Sequence, residues 1–544
     1  MKILVIGGVA AGTKVAAKMK REDRSAEVIL FNKGKNISYA GCGLPYYVGN
    51  VIREKEDLIV NTPAKYTNLT GVEVKNEHEV TQIDRAAKTI SAVDQASGIH
   101  TSYDYDKLVI AVGASPIKPA VEGIDLDHVF FMRTPEDAIG LRETIETAQI
   151  KRAVVVGGGF IGLEIAENLT EQGIRTIVMD MAPNVLPGFD EEMCNYVENH
   201  LADHGIACMT GTKLQAILGD GKVEKVQTDK RAIKADLVVI SVGIRPNTAF
   251  LKDSGLEFAK NGAILVDEHM CTNDPDIYAA GDCVMVKNRI TGQETYSPMG
   301  SSANIEGRLL AQNITGKDQT YAGVLGTAVC KLPELNVGRC GLTQVQAQAA
   351  GYEPITVVTV VDDKAHYYPG AGSFYIKMIA DRPTGQFLGI QVLGKGAVDK
   401  MVDIAVVALT MKAKLTDLVN MDLAYAPPFS TAIHPFVTTL NVLLNKCSGE
   451  FETFTPAEYA AGDAKGYRVI DTCLVPTIVT APYVDLTKVN GIMDDFGVEE
   501  KLLLICNKGK RAYLLQNRMK FYGYQNTRVL EGGTLFNEIK KKEE

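Results

Sequence analysis

Two stretches of this 544-residue chain follow one pattern, "KILVIGGVAAG" from Lys2 and "RAVVVGGGFIG" from Arg152. Each is a short apolar strand, a glycine turn and a helix rich in Ala or Leu, which is how a βαβ unit opens. The repetition predicts two nucleotide-type α/β folds in one chain. Gly7 and Gly12 hold the outer positions of a G-x-G-x-x-G motif whose middle place is taken by Val9, whereas Gly157, Gly159 and Gly162 complete it. Glycine there lets the backbone approach a pyrophosphate, whose charge meets the free N–H groups at the helix N-terminus.

Each unit should end its second strand with a residue for an adenosine ribose. After "TIV" and Met179 comes Asp180, an acidic acceptor that repels a 2′-phosphate and so favours NADH. After "VILF" comes Asn32, which can hydrogen-bond a ribose hydroxyl without the charge. Two further segments, "YDKLVIAVGASP" and "DLVVISVGIRPN", are buried strands ending at Gly113 and Gly243, suited to crossings between interleaved domains. "DIYAAGDC" places Asp282 just after a strand and a glycine.

The length suggests three or four domains. A net charge of −9, from 57 Lys+Arg against 66 Asp+Glu, argues against nucleic-acid or membrane-surface partners and for small-molecule chemistry. The ten cysteines never form C-x-x-C, so neither a disulfide framework nor a metal site is expected. The chain opens directly on a strand-like segment, and its longest apolar run, Ile404 to Met411, is far short of a membrane span, so a soluble cytoplasmic protein is expected.

Over Met1 to about Cys447 these motifs, in this order, resemble the flavin-dependent pyridine nucleotide-disulfide oxidoreductases. The resemblance implies two Rossmann-like domains of the glutathione-reductase type. FAD would bind at 1–115 and 244–321 and NAD(P)H at 116–243, and an α+β dimerisation domain over 322–447 would make a homodimer. It implies that Asp282 holds the ribityl and pyrophosphate region of FAD, and that Phe160 and Glu164 of "GFIGLE" form the gate and nicotinamide side. "SYAGCGLPYYVG" (Ser38 to Gly49) resembles the single-cysteine branch, which holds coenzyme A-disulfide and persulfide reductases, NADH oxidases and NADH peroxidases. The two-cysteine members carry C-x4-C here; this chain has only Cys42, with Gly41 where an Asn is usual. A cysteine at a helix N-terminus is expected to have its thiolate favoured by the dipole. In the coenzyme A-linked members tyrosines of the partner subunit assist. "HYYPGAG" and "LAYAPPFS" supply Tyr367 or Tyr368 and Tyr425 as candidates, and "SSANIEGR" supplies Asn304, with Ser38 and Arg308 as substrate contacts.

Beyond Cys447, residues 448–463 read as a polar linker and 464–544 as a further α/β domain. Its segment "EKLLLICNKGKRAYLLQNRMKFYGYQNTRVLEGG" reads as a strand, a six-residue loop, a helix and a second strand. It resembles the catalytic half of a rhodanese, with Cys506, Gly509 and Arg511 in the loop. Successive N–H groups opening a helix make an anion cradle. Lys508, Lys510 and Arg511 add positive charge, so Cys506 is expected to be a low-pKa thiolate that accepts sulfane sulfur. The first half departs from the rhodanese pattern: "IDTCLVPTIVTAPYVDL" keeps Asp471 and lacks the arginine, and Cys473 is read as core. The fusion points to an FAD-dependent NADH:coenzyme A persulfide or polysulfide reductase. In that reading Cys42 forms a mixed disulfide with coenzyme A, and Cys506 loads the sulfur. The alternatives are a coenzyme A-disulfide reductase, an NADH oxidase or peroxidase passing through a sulfenic acid, and a redox sensor or sulfur-carrier docking protein.

Overall fold

The computed structural model describes residues 1–541. Its contacts divide the chain into two units, Met1–Pro187 with Ala202–Val324, and Gly188–Leu201 with Leu325–Glu544.

The first unit holds both predicted nucleotide folds. Strand β1 (Lys2–Ile6) leads through the first glycine turn into α1 (Ala10–Glu22) and β2 (Glu27–Asn32). The short helix α2 (Leu44–Val48), β3 (Glu73–Asn76) and β4 (Lys107–Ile110) follow. After β5 (Val129–Phe131), β6 (Arg152–Val156) enters the second turn, then α3 (Phe160–Glu171), β7 (Arg175–Met179), β8 (Ile206–Met209) and β9 (Leu237–Ile240), while α4 (Glu191–Asp203), between β7 and β8, belongs for the most part to the second unit. Strand β10 (Ile277–Ala279) and helix α5 (Gly300–Ile314) return to the first fold. The two five-stranded sheets, ordered β10-β4-β1-β2-β3 and β8-β7-β6-β9-β5, are parallel throughout. Ile3, Leu4 and Val5 are fully buried, as a central parallel strand covered on both faces requires. A Cβ on Gly12 would lie 1.8 Å from the Gly7 carbonyl oxygen, and one on Gly162 would lie 2.0 Å from that of Gly157. Only glycine lets each helix close on its strand. The two crossing segments pair antiparallel, Ala114–Pro116 against Ile244–Pro246.

The second unit is built on an antiparallel sheet of β11 (Ala328–Leu332), β12 (Leu335–Gly341), β13 (Pro354–Asp362), β14 (Ser373–Asp381) and β15 (Phe387–Gly394), ordered β11-β12-β15-β14-β13. Helices α6 (Val398–Thr410) and α7 (Pro435–Cys447) pack on it. The sequence reading assigns Gly188–Leu201 to the second nucleotide domain; the structure groups it with this sheet instead. The reason is a buried polar cluster. Arg339, Gln391 and Lys377 stand opposite one another across three strands. Lys377, 1% exposed, meets the Asp190 carboxylate at 3.0 Å and Glu192 at 2.5 Å, while Gln391 donates to Asp190 at 2.7 Å.

The expected linker over 448–463 is not one. Thr453–Phe454 forms β16, and α8 (Pro456–Ala461) starts at a capping box in which Thr455 and Glu458 satisfy each other's backbone N–H. With β17 (Arg468–Asp471), β18 (Leu502–Ile505) and β19 (Thr527–Leu530), β16 completes a four-stranded parallel sheet ordered β16-β19-β18-β17. Helix α9 (Lys510–Phe521) lies between β18 and β19. The Glu531 side chain, 0% exposed, joins this sheet to the antiparallel one. It accepts from the Val358 N–H at 2.8 Å, from Lys446 Nζ at 2.5 Å and from Thr453 Oγ1 at 2.6 Å.

Candidate functional site

Helices α1 and α3 both begin without a side-chain cap, at Val9 and Gly159, and the space beside Gly159 is open. First-turn N–H groups that no side chain satisfies, beside an unobstructed glycine, fit a dinucleotide pyrophosphate. Asp180 stands at the end of β7, accepting from the Gly158 N–H at 2.7 Å and the Ala182 N–H at 2.8 Å. Asn32, its counterpart, is buried. Its Oδ1 accepts from the Gly8 N–H at 3.2 Å and its Nδ2 donates to the carbonyls of Gly34 and Asn36, so its side chain already organises the first turn.

Cys42 sits in a single tight turn, Gly41–Gly43, that runs straight into α2. The segment before it is held at Ser38, which accepts from Asn61 Nδ2 at 3.2 Å. The thiol is solvent-accessible, yet the chain crowds it. Burial first, then the carboxylates of Glu164 and Asp282, raise its pKa, and Arg133 opposes them. These carboxylates work against the thiolate that a helix dipole is expected to favour. The site draws on four parts of the first unit: the Cys42 turn, Glu164 of α3, Asp282 beyond β10, and Arg133. Arg133 Nη2 donates to Asp282 Oδ2 at 2.9 Å, and Tyr46 Oη donates to Glu164 Oε1 at 3.1 Å. Gly113 faces the Arg133 guanidinium, and Phe160 opens α3 four residues before Glu164. Gly243 closes the second crossing at φ 106°.

Arg133, Tyr46 and Glu306 are absent from the sequence reading. Arg133 carries a signal, since it immediately precedes a Thr-Pro capping box at Thr134. Glu306 looks like part of a polar helix face in "SSANIEGR", but it is 1% exposed and accepts from the Gly281 N–H at 2.7 Å. Burial, and then Asp282, raise its carboxyl to about 7, against the Gly281 hydrogen bond. Asn304 and Arg308 of the same helix are exposed, and Asn304 Nδ2 donates to the Gly300 carbonyl. Arg308 is not among the charges that act on Cys42.

In the second unit Tyr367, Tyr368 and Tyr425 are all exposed, and Tyr425 is hydrogen-bonded to Tyr367, which raises its pKa. Tyr367 and Tyr368 lie in the hairpin between β13 and β14.

Cys506 directly follows β18 and is 2% exposed. The loop after it is four residues long rather than six, because Lys510 and Arg511 already belong to α9. Gly509 turns the chain at φ 91°, a left-handed conformation that L side chains rarely adopt. The Ala512 N–H donates to Cys506 Sγ at 3.4 Å, which is the cradle expected of a loop opening a helix. The basic residues divide differently from expectation. Lys508 Nζ donates to Asp362 Oδ1 at 2.5 Å and to Ser373 Oγ at 3.3 Å, Arg511 Nε donates to the Thr472 carbonyl at 2.9 Å, and Lys510 is exposed. Lys508 and Arg511 thus anchor the loop. Among the described residues no cluster of His, Cys, Asp and Glu could hold a metal ion, and no helix is long and apolar enough to cross a membrane.

Residues 1–301 match the pyridine nucleotide-disulphide oxidoreductase family, and residues 327–436 match that family's dimerisation domain. The chain belongs to this family, whose members use FAD and NAD(P)H. It is 36% identical over 451 residues to an NADH oxidase of Methanocaldococcus jannaschii, covering 83% of this chain and all of that one. It is 34% identical over 447 residues to the NAD(P)H coenzyme A polysulfide/persulfide reductase of Pyrococcus horikoshii, covering 81% and 98%. Among solved structures it is similar to an NAD-dependent persulfide reductase from A. fulgidus, with TM-score 0.94 and 34% identity, covering 98% of this chain and 100% of that one. That likeness extends through the C-terminal sheet.

Proposed function

We propose that this oxidoreductase is an NADH-dependent reductase of coenzyme A persulfides and related polysulfides, acting as a homodimer, with its C-terminal domain as a rhodanese-like sulfur acceptor. The observation that carries the reading is the presence in one chain of two separate cysteine sites. Cys42 lies within reach of the charges of Glu164 and Asp282, and Cys506 lies in a helix-opening loop cradled by the Ala512 N–H. A similar solved protein that spans both is called a persulfide reductase. FAD, when bound along the first glycine turn, supplies electrons drawn from the nicotinamide.

The chain's residues divide the sulfur chemistry. Cys42 as thiolate attacks the coenzyme A-bound sulfur of the persulfide. The Cys42–S–S–coenzyme A bond forms, the sulfur–sulfur bond of the persulfide breaks, and the outer sulfur leaves as hydrosulfide. Two electrons and a proton then return Cys42 and free coenzyme A. The Cys42 thiol, held up by burial and two carboxylates, has to lose its proton first, and Glu164 is the nearby acceptor that Tyr46 orients. Tyr367 and Tyr425, joined by their hydroxyls, are offered to the partner subunit's site as proton donors to the departing sulfur.

The test is anaerobic NADH oxidation by the FAD-loaded protein, comparing coenzyme A persulfide with coenzyme A disulfide while hydrosulfide is measured. Persulfide turnover with one hydrosulfide per NADH, abolished in Cys42→Ser, is expected. Preference for the disulfide without hydrosulfide would make the chain a coenzyme A-disulfide reductase. Oxygen consumption independent of coenzyme A would make it an oxidase, the activity named for the M. jannaschii relative.

A further inference from the structure

The proposed chemistry uses Cys506 and leaves Cys473 unexplained. Strands β17 and β18 run parallel and end with Asp471 opposite Ile505, and Thr472 and Cys506 are the first residues beyond them. The Thr472 N–H donates to the Ile505 carbonyl at 2.9 Å. Cys473 follows, and its N–H donates to Asp471 Oδ1 at 2.8 Å, turning it over the strand end. Arg511 clamps the first turn of α9 onto the same place through the Thr472 carbonyl. Cys473 is thereby brought into the neighbourhood of Cys506, whose charge acts on its thiol. Both thiols are free and buried, Cys473 at 1% and Cys506 at 2% exposure. Beside them the Thr472 hydroxyl, 0% exposed, has no hydrogen-bond partner in the chain, which leaves it available to a polar guest at this spot.

We infer that Cys473 is the resolving thiol of Cys506, discharging its persulfide as hydrosulfide through a Cys473–Cys506 disulfide. The inference rests on the reading that Cys506 accepts sulfane sulfur. The Cys473 sulfur bonds to Cys506 Sγ, the bond from Sγ to the outer sulfur breaks, and its electron pair leaves with that sulfur. The Cys473 proton passes to the departing sulfur, so a persulfide anion and a thiol become a disulfide and one hydrosulfide. Two molecules of a low-molecular thiol, coenzyme A in this reading, reopen the bridge and leave as their own disulfide, which a flavin–cysteine centre of this family then reduces.

The division of labour follows from the surroundings. Burial first, then Asp471, push the Cys473 thiol up to about 12, and the charge of Cys506 adds to the effect. Cys473 therefore waits protonated while Cys506, cradled by an N–H, meets the incoming sulfur.

Reduced, desalted, FAD-loaded wild type and Cys473→Ser are each treated anaerobically with one equivalent of inorganic tetrasulfide, without NADH, then alkylated and mapped by mass spectrometry. The expected result is a cross-linked peptide pair carrying Cys473 and Cys506 in wild type, and one stable extra sulfur on Cys506 in Cys473→Ser. Wild type that keeps the extra sulfur on Cys506 with no cross-link overturns this inference and leaves the acceptor reading standing. If Cys506 carries no extra sulfur in either protein and no cross-link forms, the acceptor reading falls, and this inference with it. The wild-type map decides the first point even if the variant folds poorly.

Discussion

Lys508 Nζ lies 2.5 Å from Asp362 Oδ1 and 3.3 Å from Ser373 Oγ, and Asp362 and Ser373 are paired residues at the mouth of one hairpin. That hairpin carries Tyr367 and Tyr368. The loop behind Cys506 and the loop bearing the two tyrosines are therefore rooted at a single strand pair, although 146 residues separate Lys508 from Asp362. Lys508→Met should cost little stability, within about 1 kcal/mol, because the pair is one-third exposed. It should slow sulfur loading at Cys506 while leaving the spectrum of bound flavin unchanged. Rapid-quench persulfide labelling beside a denaturant titration checks both expectations.

Glu531 answers a backbone N–H, an ammonium and a hydroxyl inside the protein. Glu531→Ala removes the carboxylate that Lys446 pairs with and leaves the Val358 N–H without an acceptor, and should destabilise the second unit by about 3–5 kcal/mol. Hydrogen exchange at the Val358 amide should rise ahead of that in the nucleotide folds.

Glu306 makes stability depend on pH. Its carboxyl rises from 4.5 to about 7 in the folded chain, so the stabilisation it gives as a neutral acid is present below 4.5 and lost as pH climbs through 7. Between about pH 5 and about pH 8 the wild type should lose on the order of 3 kcal/mol relative to Glu306→Gln, whose side chain stays neutral. Urea unfolding of both proteins across that range measures the difference.

Asp180 follows β7 beside the second glycine turn. Asp180→Ser removes the charge that repels a 2′-phosphate and should raise the ratio of kcat/KM for NADPH to that for NADH by at least about tenfold, roughly 1.4 kcal/mol. Steady-state kinetics with both nucleotides checks it.

Both glycine turns were legible because their cause is local: strand, turn and helix lie within about twenty residues, and the glycines do the same steric work in each copy. The crossings at Gly113 and Gly243 were legible for the same reason. What escaped the sequence is non-local. Gly188–Leu201 looks like ordinary nucleotide-domain chain until Asp190 is seen to meet a buried Lys377, 187 residues away, and no periodicity announces such a pair. The stretch 448–463 is polar enough to pass for a linker, yet Thr455 and Glu458 of "TFTPAEYAAG" form a capping box that composition alone obscured. Cys473 was assigned to the core, and it is buried. What the one-dimensional reading missed is the neighbour, because only the parallel register of β17 and β18 brings it beside Cys506.

β13 is the outermost strand of its antiparallel sheet, and such a margin, left bare, is a template on which another chain can add a strand. Here the Thr356 carbonyl is taken by Lys446 and the Val358 N–H by Glu531, two side chains that are also ion-paired with each other. Through Glu531 the C-terminal domain covers part of that margin, besides carrying Cys506. A version cut after Cys447 would keep both nucleotide folds, Cys42 and Lys446 but uncover the Val358 N–H, and should self-associate in proportion to its concentration.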